Sequence, residues 1–277
     1  MSLLEGMIKN KGHKKLTLYW DIETLTYNKF EGEDKPTKYK SVVYSVAIGW
    51  YDEGMINVEV FPSFKAFYDA FFSYATRQDT INKSQTSIEM IAHNCNKYDN
   101  HFLLHDTVML FDDIKRYNMY MSMAEDNDHA LTMKLANKAS QSENIILEKR
   151  VKSSINLDMT MILYGFRFNI IDNYMKTHTS IATLGKKLND GGYISSEHLK
   201  TDFDYQAFDV NEDMTEVQAH RYARQCFEKL NDAQMTYIKN DVIILGMCHV
   251  HYSDIFPTFD YSKMTFSVNV LESYLNN

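Results

Sequence analysis

The chain has 277 residues, of which 44% are hydrophobic and 13% aromatic, and its formal net charge at pH 7 is −8. A chain of this length buries a substantial core in one or two domains, and a composition this rich in aromatic residues excludes a disordered chain. The 3 prolines and 10 glycines exclude collagen-like and linker-rich architectures.

Cysteine content and charge narrow the setting further. The three cysteines, Cys95, Cys226 and Cys248, are widely spaced, which predicts reduced thiols in a cytoplasmic protein. No apolar stretch approaches the roughly 18 residues of a membrane helix, and the N-terminus lacks the apolar core of a signal peptide. The acidic balance argues against binding of duplex DNA by bulk charge alone.

The first half of the sequence predicts strands followed by alternating helices and strands. Strand-like runs cover residues 16–24, 41–50 and 55–61, with a polar loop at 29–40 and a tight turn at Glu53-Gly54. An amphipathic helix follows at 64–74, then a short buried strand at 88–93 and a helix from Asp99. The order strand, strand, strand, helix, strand, helix is that of the ribonuclease-H-like fold.

The second half is less regular. The stretch 115–170 contains an Asn- and Ser-rich patch and β-like runs at 145–147 and 166–171, which we interpret as extra strands or a hairpin inserted into the core fold. A helix at 177–189 ends at Asp190-Gly191-Gly192, and two helices follow at 215–230 and 232–252. The predicted class is α/β, with a mixed sheet flanked by helices and an inserted β-hairpin or irregular region.

The first candidate site is a pair of acids on the first strand. Asp21 and Glu23 are two residues apart, so both project from one face, while Trp20 and Ile22 point to the other. Two carboxylates on one face repel each other unless cations neutralise them, and carboxylate oxygens suit Mg²⁺ or Mn²⁺. The alternative is a pair of solvated acids on an exposed strand edge.

Two further groups have the same ambiguity. Asp99 follows a strand end, where α/β sheets place ligand-binding groups, but an aspartate at a helix start is also an ordinary N-cap. Phe102 lies one turn later and lines the same groove or packs in the core. Tyr237 and Asp241 share one helix face at i and i+4. Each of these patterns alone is common by chance. The three patterns in this order along one chain are far rarer than any one of them.

These segments resemble a known family. Residues 20–24 (Trp-Asp-Ile-Glu-Thr), 93–99 (His-Asn-Cys-Asn-Lys-Tyr-Asp) and 237–241 (Tyr-Ile-Lys-Asn-Asp) resemble the Exo I, Exo II and Exo III motifs of DEDDy 3′→5′ exonucleases. The likeness is greatest to the exonuclease domain of protein-primed family B DNA polymerases of bacteriophages and linear plasmids. Residues 199–205 (Leu-Lys-Thr-Asp-Phe-Asp-Tyr) are similar to that family's Lys-x-x-hydrophobic motif.

The resemblance implies a domain plan. Residues 14–255 would form the exonuclease domain, residues 1–13 an N-terminal tail, and residues 256–277 a tail leading towards a polymerase domain. The sequence contains none of the palm and fingers motifs of such polymerases. The resemblance therefore implies a nuclease, and polymerase activity is not expected from this chain.

The resemblance also implies a mechanism and a set of site residues. Two Mg²⁺ or Mn²⁺ ions would promote hydrolysis of single-stranded or frayed DNA 3′ ends to nucleoside 5′-monophosphates, a proofreading activity. The implied metal ligands are Asp21, Glu23, Asp99 and Asp241. Tyr237 would orient the attacking water and Lys200 would support catalysis electrostatically. The implied DNA contacts are Thr24, Asn94, Tyr98, Phe102, Tyr205 and Ser180, the last in competition with Asp172-Asn173-Tyr174; for Lys200 and Tyr205, a solvated lysine and a core tyrosine are equally good interpretations.

The implied partners are a single-stranded DNA 3′ end and, as a further candidate, a terminal priming protein. We expect no membrane association, a monomer, and a cytoplasmic location, in the host cytoplasm if the gene belongs to a phage. Two alternatives stay open. One is a free-standing ribonuclease-D-like exonuclease acting on RNA, which the same acids would serve. The other is a catalytically silent module that docks DNA or a priming protein.

Overall fold

The structure, a computed structural model, describes residues 15–29, 38–75, 87–109, 145–153, 156–163, 166–204 and 207–255. These residues form a mixed α/β architecture in which one mixed sheet is flanked by helices. The strands are β1 (Lys15–Lys29), β2 (Lys38–Asp52), β3 (Met55–Phe61), β4 (Ser87–Ala92), β5 (Ile145–Ser153), β6 (Asn156–Leu163), β7 (Phe166–Asp172) and β8 (Val210–Met214). The helices are α1 (Phe64–Ala75), α2 (Asp99–Met109), α3 (Tyr174–Thr177), α4 (Ile181–Asp190), α5 (Glu216–Glu228) and α6 (Asp232–Ile255).

The sheet has parallel strands at its centre and antiparallel strands on both sides. Its order is β3-β2-β1-β4-β7-β6-β5, and β8 pairs separately with the end of β1. Strand β4 runs parallel to both β1 and β7, whereas β2 is antiparallel to β1 and to β3. The parallel pairing of β1 with β4 ends at Tyr19 and Ile91. The residues of β1 that follow Tyr19 therefore lie at the edge where β4 and β7 end, which is where such sheets bind ligands.

Alternation along the strands supplies both sides of the core. On one face, Leu18 and Trp20 pack with aromatic residues of α1 and with β7, in a cluster that includes Phe64 and Phe168. On the other face, Tyr19 packs against α6 and α4. A third cluster lies where α5 covers the far ends of β1 and β2. Helix α6 is thus held on the face of β1 towards which Asp21 and Glu23 also alternate.

Close approach of α6 to the sheet depends on a small residue. A Cβ atom placed on Gly246 would lie 2.6 Å from Ile56 Cδ1 and 2.9 Å from the ring of Tyr19. Real side chains do not pack that closely, so this helix turn seats on β1 and β3 only because the position is a glycine.

Several predicted elements are confirmed within a few residues, including α1, β4 and the two long helices. The predicted turn at Glu53-Gly54 is also confirmed, and both residues adopt positive φ, 49° and 89°. Strand β1, however, continues to Lys29, beyond the predicted end at residue 24, because it pairs with β2 along that whole length. A register shift interrupts this pairing between Glu23 and Thr24.

The predicted helix at 177–189 is wrong in its first turn. The chain breaks at His178, which adopts left-handed backbone with φ 49°, and α4 begins after the N-cap Ser180. Strand β8 was not predicted. Of the predicted irregular middle, β5 and β6 form an antiparallel hairpin, and β7 joins the central parallel strands; residues 110–144 lie outside the described ranges.

Candidate active site

A cavity of about 450 Å³ opens beside the middle of β1, at residues 20–23, where the neighbouring strand β4 ends. All four predicted metal-binding acids line it, together with the predicted residues Tyr237, Lys200, Asn94 and Ser180. The further lining residues are Trp20, Ile22, His93, Tyr174, Ile181 and Leu245. Three chain segments that are distant in sequence therefore bring acids to one cavity.

Each acid is placed by the element that carries it. Asp21 and Glu23 alternate with Trp20 and Ile22, which pack in the core. Directly after Glu23 the pairing with β2 shifts register, and Tyr44 of β2 is skipped. Bulges of this kind are frequent beside functional sites because they re-aim side chains. Asp99 is the first residue of α2, and Asp241 lies in the middle of α6, one turn beyond Tyr237.

The acids are crowded and mostly shielded from solvent. Glu23 is 7% exposed and Asp241 is 6% exposed, and Asp21 is half-buried. Burial, reinforced by the charges of Asp241, Glu23 and Asp99, raises the pKa of Asp21 well above its usual range. Burial also raises the pKa of Glu23 to about 8 and that of Asp99 to about 7, with Asp172 adding to the second effect. The cavity therefore favours a compensating positive charge.

One positive side chain reaches this cluster. The Nζ atom of Lys200 donates a hydrogen bond to Asp241 Oδ2 at 2.6 Å and lies 4.9 Å from the centre of the Tyr237 ring. Burial raises the pKa of Asp241, and the charge of Lys200 opposes that rise. The ring of Phe203 stacks on that of Tyr237, with centroids 4.4 Å apart. The lysine thus binds Oδ2 of Asp241 and not Oδ1.

The donor set fits divalent cations in kind. Oδ1 of Asp241 is buried and has no hydrogen-bond partner among the described residues. Carboxylate oxygens are the ligands that Mg²⁺ and Mn²⁺ prefer, and an unsatisfied buried oxygen is costly without one. No three His, Cys, Asp or Glu side chains in the described ranges stand together as a ready-made metal site. Binding would thus require side chains in this cavity to adjust.

Three predicted DNA-contact residues form a separate cluster beside the cavity. The hydroxyls of Thr24 and Tyr98 lie 3.0 Å apart at hydrogen-bonding distance, and the Tyr98 ring contacts Phe102 edge-on at 4.9 Å. Tyr98 is 44% exposed, while Phe102 also packs partly on the core. Tyr205 lies outside the described residues.

The other two candidates have clear local roles. Asn94 adopts left-handed backbone with φ 61°, and its N–H donates to Asp172 Oδ1 at 2.8 Å. Ser180 caps α4 by accepting a hydrogen bond from the Thr183 N–H at 3.3 Å. Both residues nevertheless line the cavity.

Two lining residues were named in the sequence motifs but were not among the predicted site residues. His93 and Tyr174 meet edge-on with ring centroids 5.6 Å apart. Burial and the charge of Lys200 lower the pKa of His93 to about 4, so it is neutral at physiological pH. His93 follows directly on β4, and the rule that ligand groups gather at strand ends would have identified it.

Comparison with known proteins adds one structural likeness. No family model matches the sequence, and no curated protein matches it. A solved structure described as phi29 DNA polymerase complexed with single-stranded DNA is similar, with a TM-score of 0.48 and 14% sequence identity over 92% of this chain. The chain corresponds to 34% of the length of that polymerase. Within the described ranges, none of the helices combines the length and apolar character needed to cross a bilayer.

Proposed function

We propose that this chain is a metal-dependent 3′→5′ exonuclease that hydrolyses single-stranded or frayed DNA ends to nucleoside 5′-monophosphates. The observation that carries the proposal is the convergence of Asp21, Glu23, Asp99 and Asp241 on one cavity. Acids that are merely solvated on separate elements have no reason to meet at a shielded place where the charges of Asp241, Glu23 and Asp99 raise the pKa of Asp21.

The proposed metal ligands are the four acids. Asp21, Glu23 and Asp241 would hold one ion, and Asp21 and Asp99 a second. When bound, such ions activate water and stabilise the departing 3′-oxygen of the next nucleotide. With that chemistry supplied, the protein needs no side-chain base of its own.

The remaining side chains would orient the reactants. Tyr237 is buried at the cavity wall and fixed by stacking on Phe203, so its hydroxyl would direct the attacking water. Lys200 would hold Asp241 in one orientation through their ion pair. Near-attack geometry of this kind accelerates a reaction because positioning is done before the chemical step.

Single strands suit the surface beside the cavity. Tyr98 and Phe102 offer adjoining aromatic faces next to the Thr24 hydroxyl. Stacking of a base on an aromatic ring is worth about 1–3 kcal/mol and is nearly independent of sequence. A mispaired 3′ terminus unstacks more easily than a paired one, which would make the activity a proofreading one alongside a polymerase.

A labelled oligonucleotide tests the proposal. We expect the purified chain with Mg²⁺ or Mn²⁺ to shorten a 5′-labelled single-stranded DNA from its 3′ end in one-nucleotide steps, and EDTA to stop the reaction. The variant Asp21→Ala/Asp99→Ala should lose the activity by a factor of at least about 10³, because both metal positions lose a ligand. Melting curves must show that this variant folds.

Matched substrates separate the alternatives. An RNA oligonucleotide of the same sequence should be degraded more slowly than the DNA; faster degradation of RNA would identify a ribonuclease instead. Products that carry a 3′-phosphate would contradict the mechanism. If no metal produces activity above that of the double variant while the chain still binds single-stranded DNA, the docking-module interpretation replaces the proposal.

A further inference from the structure

Asn240 stands beside the proposed metal ligand Asp241 on α6 but makes different contacts. It is 2% exposed, and its side-chain amide donates hydrogen bonds to the Glu197 carbonyl at 2.9 Å and to the Leu199 carbonyl at 3.3 Å. Its Oδ1 atom lies 3.4 Å from His198 Nδ1. A single buried side chain thus contacts three consecutive residues of another segment.

That segment carries Lys200. Residues 196–198 form one 3-10 turn, Leu199 closes it, and Lys200 follows directly. Farther on, Phe203 stacks on Tyr237. The segment from Ser196 to Phe203, which we call the lysine segment, is therefore fastened to α6 on both sides of Lys200.

Fastening matters because a lysine side chain is long and flexible. Its ammonium holds Asp241 Oδ2 at 2.6 Å only while the backbone at residues 199 and 200 stays against the helix. The side chain of Lys200 is 27% exposed, so solvent competes for it when the segment loosens. A ligand oriented by such a contact depends on whatever fixes the backbone of its partner.

We propose that Asn240 is a positioning residue that fixes the lysine segment and thereby sets Lys200 against Asp241. The inference deepens the proposed function, since Asp241 is a metal ligand there. It assigns Asn240 no contact with substrate or metal: the residue acts through Lys200.

A double-mutant cycle tests whether Asn240 acts through Lys200. We expect Asn240→Ala to lower kcat on single-stranded DNA about tenfold with KM changed less than twofold, because substrate binding is untouched. Lys200→Ala should lower kcat at least as much, and the double variant should equal Lys200→Ala. Additive losses in the double variant, or full activity of Asn240→Ala, would overturn the inference.

A metal-free measurement tests it independently of activity. In EDTA, we expect trypsin to cut Asn240→Ala between Lys200 and Thr201 several times faster than the wild type, because the released backbone fits a protease cleft. Mass spectrometry identifies the fragment that begins at Thr201. Equal cleavage of the two proteins contradicts the inference even if the wild type is an active nuclease.

Controls separate a positioning role from general damage. Gln225→Ala removes an amide from an exposed position of α5 and should leave both kcat and cleavage unchanged. If Asn240→Ala fails to fold, Asn240→Ser keeps one donor and gives the same comparison. If the wild type lacks nuclease activity altogether, the proposed function fails, and the proteolysis result still decides whether Asn240 fastens the lysine segment.

Discussion

Asp172 ends β7 with a buried carboxylate that organises the neighbouring loop. It accepts hydrogen bonds from the N–H groups of Asn94 at 2.8 Å, Asn96 at 3.1 Å and Tyr174 at 2.8 Å. The charge on Asp172 also contributes to the raised pKa of Asp99. This one side chain therefore links the end of β7 to the loop that precedes the third acid.

Replacement of Asp172 should destabilise the fold and the loop together. An unsatisfied buried donor costs about 1–3 kcal/mol, so we expect Asp172→Ala to lower the free energy of unfolding by about 2–4 kcal/mol in urea titrations. Asp209→Ala is the matched control, because Asp209 accepts one backbone hydrogen bond, from Thr26, at an exposed position. Equal losses in the two variants would contradict the assigned role.

His249 should make stability depend on pH. Its Nδ1 atom lies 2.7 Å from the Tyr19 hydroxyl, and burial, aided by the charge of Lys15, lowers the pKa of His249 to about 3. In the unfolded chain, histidine has a pKa of about 6.5. Between pH values of about 3 and about 6.5, the unfolded chain therefore binds a proton that the folded chain does not. The free energy of unfolding therefore falls as pH drops through that window.

A variant isolates this contribution. His249→Asn keeps an acceptor near Tyr19 but has no titrating ring. Between pH 7 and pH 5 the wild type should lose more stability than the variant, measured by chemical denaturation at each pH. Parallel curves for the two proteins would show that His249 does not titrate differently in the folded and unfolded chains.

At the residue scale, local spacing identified the acids as candidates for one site. It did not identify the residues that hold the neighbouring segments in place. Asp21 and Glu23 are adjacent on a strand face, so alternation alone places them together. Asp172 and Asn240 bind backbone groups of distant segments, and no local pattern reports such contacts. The sequence therefore identified the acids that line the cavity, but not the side chains that hold the neighbouring segments in place.

At the scale of elements, α6 carries Tyr237 and Asp241 and depends on Gly246 for its seat on the sheet. We expect Gly246→Ala to lower the free energy of unfolding by about 1–2 kcal/mol, since overpacking outweighs the gain in helix propensity. Adding Ile56→Val removes the methyl group nearest to the new Cβ and should restore part of the loss. Further destabilisation by Ile56→Val would contradict this account.

The elements that the sequence predicted poorly depend on long-range pairing or on single dihedral angles. Strand β8 has the sequence Val-Asn-Glu-Asp-Met, with little β propensity, and exists by pairing with β1. The break at His178 follows from one left-handed residue that periodicity does not reveal. The helices α1 and α5 were predictable because an apolar stripe recurs along each of them.

At the scale of the whole molecule, the crowding of acids that the proposed function requires lowers the stability of the metal-free fold. Burial and three neighbouring carboxyls raise the pKa of Asp21, so its charged form destabilises the metal-free fold. We expect Asp21→Asn to raise Tm in EDTA by about 2–4 °C, as a gain of about 1 kcal/mol would, and to remove most of the Tm increase that Mn²⁺ gives the wild type.

Asp254→Asn serves as the control because that aspartate is exposed at the end of α6. It should change neither the Tm in EDTA nor the response to Mn²⁺. A lower Tm for Asp21→Asn would mean that the carboxylate stabilises the metal-free protein through a contact other than the repulsion described.

Element order predicted the α/β architecture of the whole molecule, but the sheet topology needed the structure. The middle of the chain was interpreted as an insertion, whereas β7 lies beside β4 and contributes Asp172 to the region of the cavity. Hydrophobic runs indicate a strand without naming its neighbours, so its place in the sheet could not be derived from pattern alone.

Asn94 combines a left-handed backbone conformation with a position on the wall of the cavity. Most amino acids adopt that conformation only at a cost of about 1–2 kcal/mol, while glycine and asparagine accept it. A saturation library at position 94 should therefore rank the amino acids differently under selection for folding and under selection for activity. Selection for folded protein should retain both glycine and asparagine, whereas selection for turnover should retain asparagine alone if its carboxamide makes the DNA contact that the resemblance implies.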